Sequence, residues 1–125
     1  MTRVLYIDDE PDIREVACMA LEIDPEFEVR CCASGREGLV EAREWLPQII
    51  LLDVMMPGLD GPSTLGIIKG DPCLAHIPVV FITARVHAGE VESFRERGAA
   101  GVLKKPFDPM TLAADVRAVL AGASV

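Results

Sequence analysis

Ile49-Ile50-Leu51-Leu52-Asp53 is an unbroken apolar run that stops at a carboxylate. Two other runs have the same form: Val4 to Ile7, followed by Asp8-Asp9-Glu10, and Val79 to Ile82, followed by Thr83-Ala84. Short runs with no polar alternation suit strands covered on both faces, and such strands belong to parallel sheets. Phe27 to Cys32 and Gly101 to Leu103 are weaker runs that bring the count of strands to five, and the charges Glu28 and Arg30 mark the former as an edge.

Helical patterns fill the intervals. Ile13, Val16, Ala17, Ala20 and Leu21 fall on one helical stripe, with Pro11 suited to the first turn. Ser34-Gly35-Arg36-Glu37 has the form of a capping box that opens a second helix with Leu39, Ala42 and Leu46 inward. Pro62 and Gly70 bracket a third. Asp108-Pro109 reads as a cap and first-turn proline before a last helix whose stripe is Leu112, Val116, Val119 and Leu120. Between His87 and Gly98 only Val91 and Phe94 are large and apolar, so that helix is expected to be the most weakly anchored. The reading is a doubly wound α/β domain, residues 1–125, with a five-stranded parallel sheet and helices on both faces.

The chain has 125 residues, enough for a single domain and no effector domain. Half of it is hydrophobic, and 20 acidic against 12 basic residues leave a formal charge of -8, which opposes direct binding to nucleic acid or an anionic membrane. Cys18, Cys31, Cys32 and Cys73 form no Cys-x-x-Cys pair, and Cys31 and Cys32 should point to opposite faces of a strand. No leader or membrane-length apolar segment interrupts the chain, so a cytoplasmic location is expected.

In an open parallel sheet, ligands bind beyond the carboxyl ends of the strands. Four of the five ends carry chemistry here: Asp8-Asp9-Glu10, Asp53, Thr83-Ala84 and Lys104-Lys105-Pro106. Singly, each has a bland reading as a cap or a solvated side chain. Together they place carboxylates, a hydroxyl and an ammonium on one edge, a crowding of negative charge that a hard divalent cation would relieve. Magnesium suits so sparse a set of oxygen ligands, with manganese as a substitute, and the acidic spacing of an EF-hand is absent. Asp60 and Gly61 read as turn residues, Asp12 as surface charge, His76 and His87 as loop histidines, and Trp45 as a packing residue at a helix end.

In this order, the acidic pair, the run from Asp53-Val54-Met55-Met56-Pro57 to Gly61, Thr83-Ala84 and Lys105-Pro106 resemble the receiver domains of bacterial response regulators over nearly the whole chain. The resemblance implies a flavodoxin-like fold with strand order 2-1-3-4-5. It implies that Asp53 accepts a phosphoryl group from the phosphohistidine of a sensor histidine kinase or a histidine phosphotransfer protein. Mg2+ would lie among Asp9, Asp53 and the Met55 carbonyl, with Asp8 acting through water. Thr83 and Lys105 would contact the phosphoryl oxygens, Ala84 would leave room beside them, and a cis bond before Pro106 would aim Lys105. Lys104 competes for the ammonium role, and the family pattern selects Lys105.

Many receivers carry an aromatic residue in the middle of the fifth strand, where this chain has Val102, so output coupling to an unknown protein target is expected to lean on Thr83 and the loop before the polar fourth helix. Met55 and Arg85, two positions beyond Asp53 and Thr83, are expected to tune hydrolysis toward a persistent aspartyl phosphate. Two rivals stand beside the phosphorylatable switch. A phosphorylation-independent adaptor would use the same fold, and an aspartate-nucleophile phosphatase would need a second aspartate where Met55 stands.

Overall fold

The computed structural model describes residues 1–84 and 87–122. Strands β1 (Thr2–Ile7), β2 (Phe27–Cys32), β3 (Ile49–Asp53), β4 (Val79–Thr83) and β5 (Gly101–Lys104) alternate with helices α1 (Pro11–Leu21), α2 (Gly35–Trp45), α3 (Gly61–Gly70), α4 (Ala88–Glu96) and α5 (Leu112–Leu120). All strand pairs are parallel, in the order β2-β1-β3-β4-β5, so the fold and the strand order are those expected.

Period-two alternation divides the core into two layers. Leu5, Ile7, Ile50, Leu52, Phe81 and Val102 face the side covered by α2, α3 and α4. Val4, Tyr6, Ile49, Leu51, Val80 and Ile82 face Ala17, Leu21, Leu112 and Val116 of α1 and α5. Cys31 and Cys32 split between the two layers, as adjacent strand residues must. The central strands β3 and β4 are buried throughout, whereas β2 alternates and carries exposed Glu28 and Arg30 at the sheet edge. On that edge the Arg30 guanidinium pairs with Glu41 and stacks 4.5 Å over the Trp45 ring at the end of α2.

Several helix details differ from the expectation. Leu46 is 46% exposed and adopts a left-handed backbone with φ of 52°, which ends α2 one residue short of an inward position. Its carbonyl is taken by the Arg3 guanidinium, so the helix terminus is tied to the start of β1. Val16 is 44% and Leu120 37% exposed, both at the rims of their stripes, while Ala17, Ala20 and Leu21 on α1 and Leu112, Val116 and Val119 on α5 carry the burial.

The capping box is displaced by one residue. Ser34 accepts from the Glu37 N–H as expected, but the Glu37 carboxylate reaches back to the N–H of Ala33. At the last helix, Asp108 closes a turn by accepting from Met110 and Leu112 N–H groups, and α5 begins three residues later than the Asp108-Pro109 signal implied. Asp60 is the side-chain N-cap of α3, bonded to the Ser63 N–H at 2.8 Å. Asp12, His76 and His87 are exposed, as expected of surface and loop positions.

Candidate functional site

The site forms where β1, β3, β4 and β5 end on the same edge of the sheet. Asp8 follows β1 in the parity of Val4 and Tyr6, Asp53 ends β3 in the parity of Ile49 and Leu51, and Lys105 follows β5 in the parity of Leu103. Alternation therefore delivers two carboxylates and the ammonium to the α1/α5 side of the sheet. It also separates the two lysines. Lys104 is exposed, whereas Lys105 is buried and reaches the acidic groups.

Lys105 Nζ lies 3.0 Å from Asp8 Oδ2, 3.1 Å from Glu10 Oε1 and 3.5 Å from Asp53 Oδ2. Asp8 is fully buried and held by three donors: the Glu10 N–H at 3.0 Å on Oδ1, and the Tyr6 hydroxyl at 2.9 Å and Lys105 at 3.0 Å on Oδ2. Arg14, from the first turns of α1, binds the Asp8 carbonyl at 2.8 Å. Carboxylate oxygens of Asp8, Glu10 and Asp53 all lie within 4.8 Å of one another. Three carboxylates share a single ammonium, so the center holds a surplus of negative charge that a dication suits.

The electrostatics follow from this crowding. Burial, then the charge of Asp8, pushes the Asp53 carboxyl up to about 6, against the opposing pull of Lys105 and a backbone hydrogen bond from Met55. For Lys105, burial works against the charge, but the bonds to Asp8 and Glu10 and the charge of Asp53 outweigh it and raise the pKa. Burial and the Asp8 charge likewise drive the Tyr6 phenol far above its ordinary range.

A pocket of about 140 Å³ opens onto this center, lined by Glu10, Asp53, Met55, Thr83, Ala84 and Lys105. It brings a buried carboxylate, a threonine and an ammonium together around a space that suits a small tetrahedral group. Residues 4–117 match the response regulator receiver domain family. This chain belongs to that family.

The receiver is 41% identical over 119 residues to the transcriptional regulatory protein CseB of Streptomyces coelicolor, covering 95% of this chain and 49% of that protein. It is 41% identical to the response regulator PleD of Caulobacter vibrioides, of which it covers 26%. The chain thus spans half or less of the length of these curated relatives. Chemotaxis protein CheY4 of Vibrio cholerae is similar in structure, with a TM-score of 0.88 and 30% identity over 95% of this chain and 98% of that one. Receiver domains are signaling modules and not a conventional enzyme family.

The remaining expected residues are distributed as follows in this receiver. Thr83 is buried and Ala84 exposed, both on the pocket wall. Met55 lines the same wall with 74% exposure, and its backbone lies against Asp53. The bond between Lys105 and Pro106 is cis. Asp9 is half-buried and outside the close carboxylate group, acting on Asp53 through its charge. Val102 is buried among Phe81 and Phe94, whose rings lie 4.7 Å apart. Arg85 lies outside the described residues. In the sequence Glu10 is grouped with the strand-end acids without a role of its own in the site, and Tyr6 is not singled out. Glu10 had an available signal, as the third consecutive acid after a strand; Tyr6 had only its polar atom within an apolar run. Among the described residues no helix is long and apolar enough to cross a membrane.

Proposed function

We propose that the chain is a phosphorylatable switch or phosphorelay intermediate whose phosphoacceptor is Asp53. A carboxylate oxygen of Asp53 attacks the phosphorus of a phosphohistidine, on a sensor histidine kinase or a histidine phosphotransfer protein. The new O–P bond forms as the P–N bond breaks, and the bonding pair stays with the imidazole nitrogen. The observation that carries this reading is a pocket lined by Asp53, Lys105 and Thr83, in which Lys105 also pairs with the fully buried Asp8 behind it.

The donor set fits Mg2+, with Mn2+ as a substitute. Asp8, Asp53 and Glu10 offer the clustered oxygens, and family resemblance adds Asp9 and the Met55 carbonyl. When bound, the cation neutralizes charge on the transferring phosphoryl group. Lys105 is placed to trade its carboxylate partners for phosphoryl oxygens, and Thr83 to donate its hydroxyl to them. Exposed Met55 stands over the pocket mouth, where its thioether chain hinders hydrolytic water and prolongs the aspartyl phosphate. Output then passes through Thr83, Val102 and α4 to a protein partner. The surface charge of -8 speaks against nucleic acid or an anionic membrane as the direct contact of this domain, which fits a cytoplasmic protein.

The test is intact mass after exposure to a small phosphodonor, with Mg2+ present or chelated. One phosphoryl addition is expected in wild type with Mg2+, and none after chelation or in Asp53→Asn. Absence of addition under conditions that modify another receiver would favor the phosphorylation-independent adaptor instead.

A further inference from the structure

Tyr6 is the chain's single tyrosine, and it is fully buried in the layer formed with Val4, Ala17, Leu21 and Leu51. A phenol placed among aliphatic side chains is costly unless its hydroxyl has a partner. That partner is Asp8 Oδ2, two residues along and on the same side of the chain, at 2.9 Å. The same oxygen accepts from Lys105 Nζ at 3.0 Å. The two donors differ in kind. Lys105 is a flexible ammonium within reach of Glu10 and Asp53 as well, whereas the Tyr6 hydroxyl sits on a rigid ring locked in the core. Asp8 Oδ1 is held separately by the Glu10 N–H at 3.0 Å.

We infer that Tyr6 is a positioning residue for the cation site, its hydroxyl holding the Asp8 carboxylate in one orientation so that the carboxylate cluster keeps its arrangement when Lys105 turns to a phosphoryl group. A carboxylate offers about four acceptor positions, and three are taken here, which leaves Asp8 capacity for a further partner without rotation. Outer partners of this kind typically change metal affinity by about 10- to 100-fold when removed. The inference rests on the reading of Asp8 as part of the cation site.

The experiment is a calorimetric titration of the unphosphorylated protein with Mg2+, comparing wild type, Tyr6→Phe and Val4→Ala. Tyr6→Phe keeps the ring and deletes the oxygen, and a dissociation constant raised about tenfold is expected. Val4→Ala opens the same layer without touching Asp8, and an unchanged affinity is expected there. An equal loss in both variants would show that packing, not the hydrogen bond, sets the affinity, and would overturn the assignment. Replacement of Tyr6 by 3-fluorotyrosine gives a single fluorine resonance, expected to shift during the titration and to saturate with the heat. A stationary resonance would overturn the inference even if Tyr6→Phe failed to fold. Wild type that takes up no Mg2+ removes both the cation site and this role, whereas wild type and Tyr6→Phe with equal affinities remove this role alone.

Discussion

Asp53 is a carboxylate whose surroundings disfavor its charge. An unfolded aspartate titrates at about 3.9, and in the folded protein burial and Asp8 move Asp53 up to about 6. Between those values the folded state holds the extra proton. The stabilization from Asp53 is therefore complete below about pH 4 and is lost as pH rises through about 6. In cation-free protein at pH 7, Asp53→Asn is expected to raise stability by about 1–3 kcal/mol and to flatten this slope. Urea unfolding at several pH values in chelator measures both. Lys105→Met has the opposite sign. It leaves Asp8, Glu10 and Asp53 without their shared ammonium, and a loss of about 2–4 kcal/mol is expected by the same measurement, partly restored by Mg2+.

The loop between β3 and α3 positions Asp53 through its backbone. A methyl group on Gly61 would lie 2.5 Å from the Asp53 carbonyl oxygen and 2.8 Å from the Val54 Cα, both main-chain atoms that cannot step aside cheaply. Gly61→Ala is expected to cost about 1–3 kcal/mol and to slow phosphoryl uptake from a small donor, read by intact mass against time. On the same side of the sheet, Phe94 is the buried residue among the described side chains of α4, and His87 makes no side-chain cap bond. Amide exchange within α4 is accordingly expected to be the fastest of the five helices, measured by hydrogen exchange with mass detection.

At this scale the legibility of the sequence divides by cause. The strands and the identity of Asp8, Asp53 and Lys105 as the inward set were readable because apolar runs end abruptly at charged residues. Leu46 was misread because a helical repeat carries no mark of where a non-glycine residue will turn left-handed, and Arg3, 43 positions away, supplies the partner for its carbonyl. The α5 start was misread because Asp108 serves equally well as a turn closer or a helix cap. The roles of Glu10 and Tyr6 escaped for a related reason. What they touch depends on Asp8 and Lys105 meeting in space, and Lys105 lies 97 positions from Asp8.

For the whole molecule, a ligand that binds only the folded state raises stability by mass action. Mg2+ at about 100 times its dissociation constant is expected to add about 2.7 kcal/mol, and Asp53→Asn to lose most of that gain. Thermal unfolding across a Mg2+ series measures it. The two-layer core makes such measurements meaningful, because β1, β3 and β4 contribute to both layers and tie them into one cooperative unit.

The chain has one tryptophan, and its position sets what light emission will report. Trp45 ends α2 just before β3 begins, at the edge of the sheet away from the carboxylates, under the Arg30 guanidinium. Its fluorescence is therefore expected to stay unchanged on cation or phosphoryl binding and to change when the β2 edge comes apart, as emission spectra with and without Mg2+ and in urea would check. That separation makes the indole a clean optical gauge of unfolding, one that need not be corrected for the ligands whose stabilizing effect it is used to weigh.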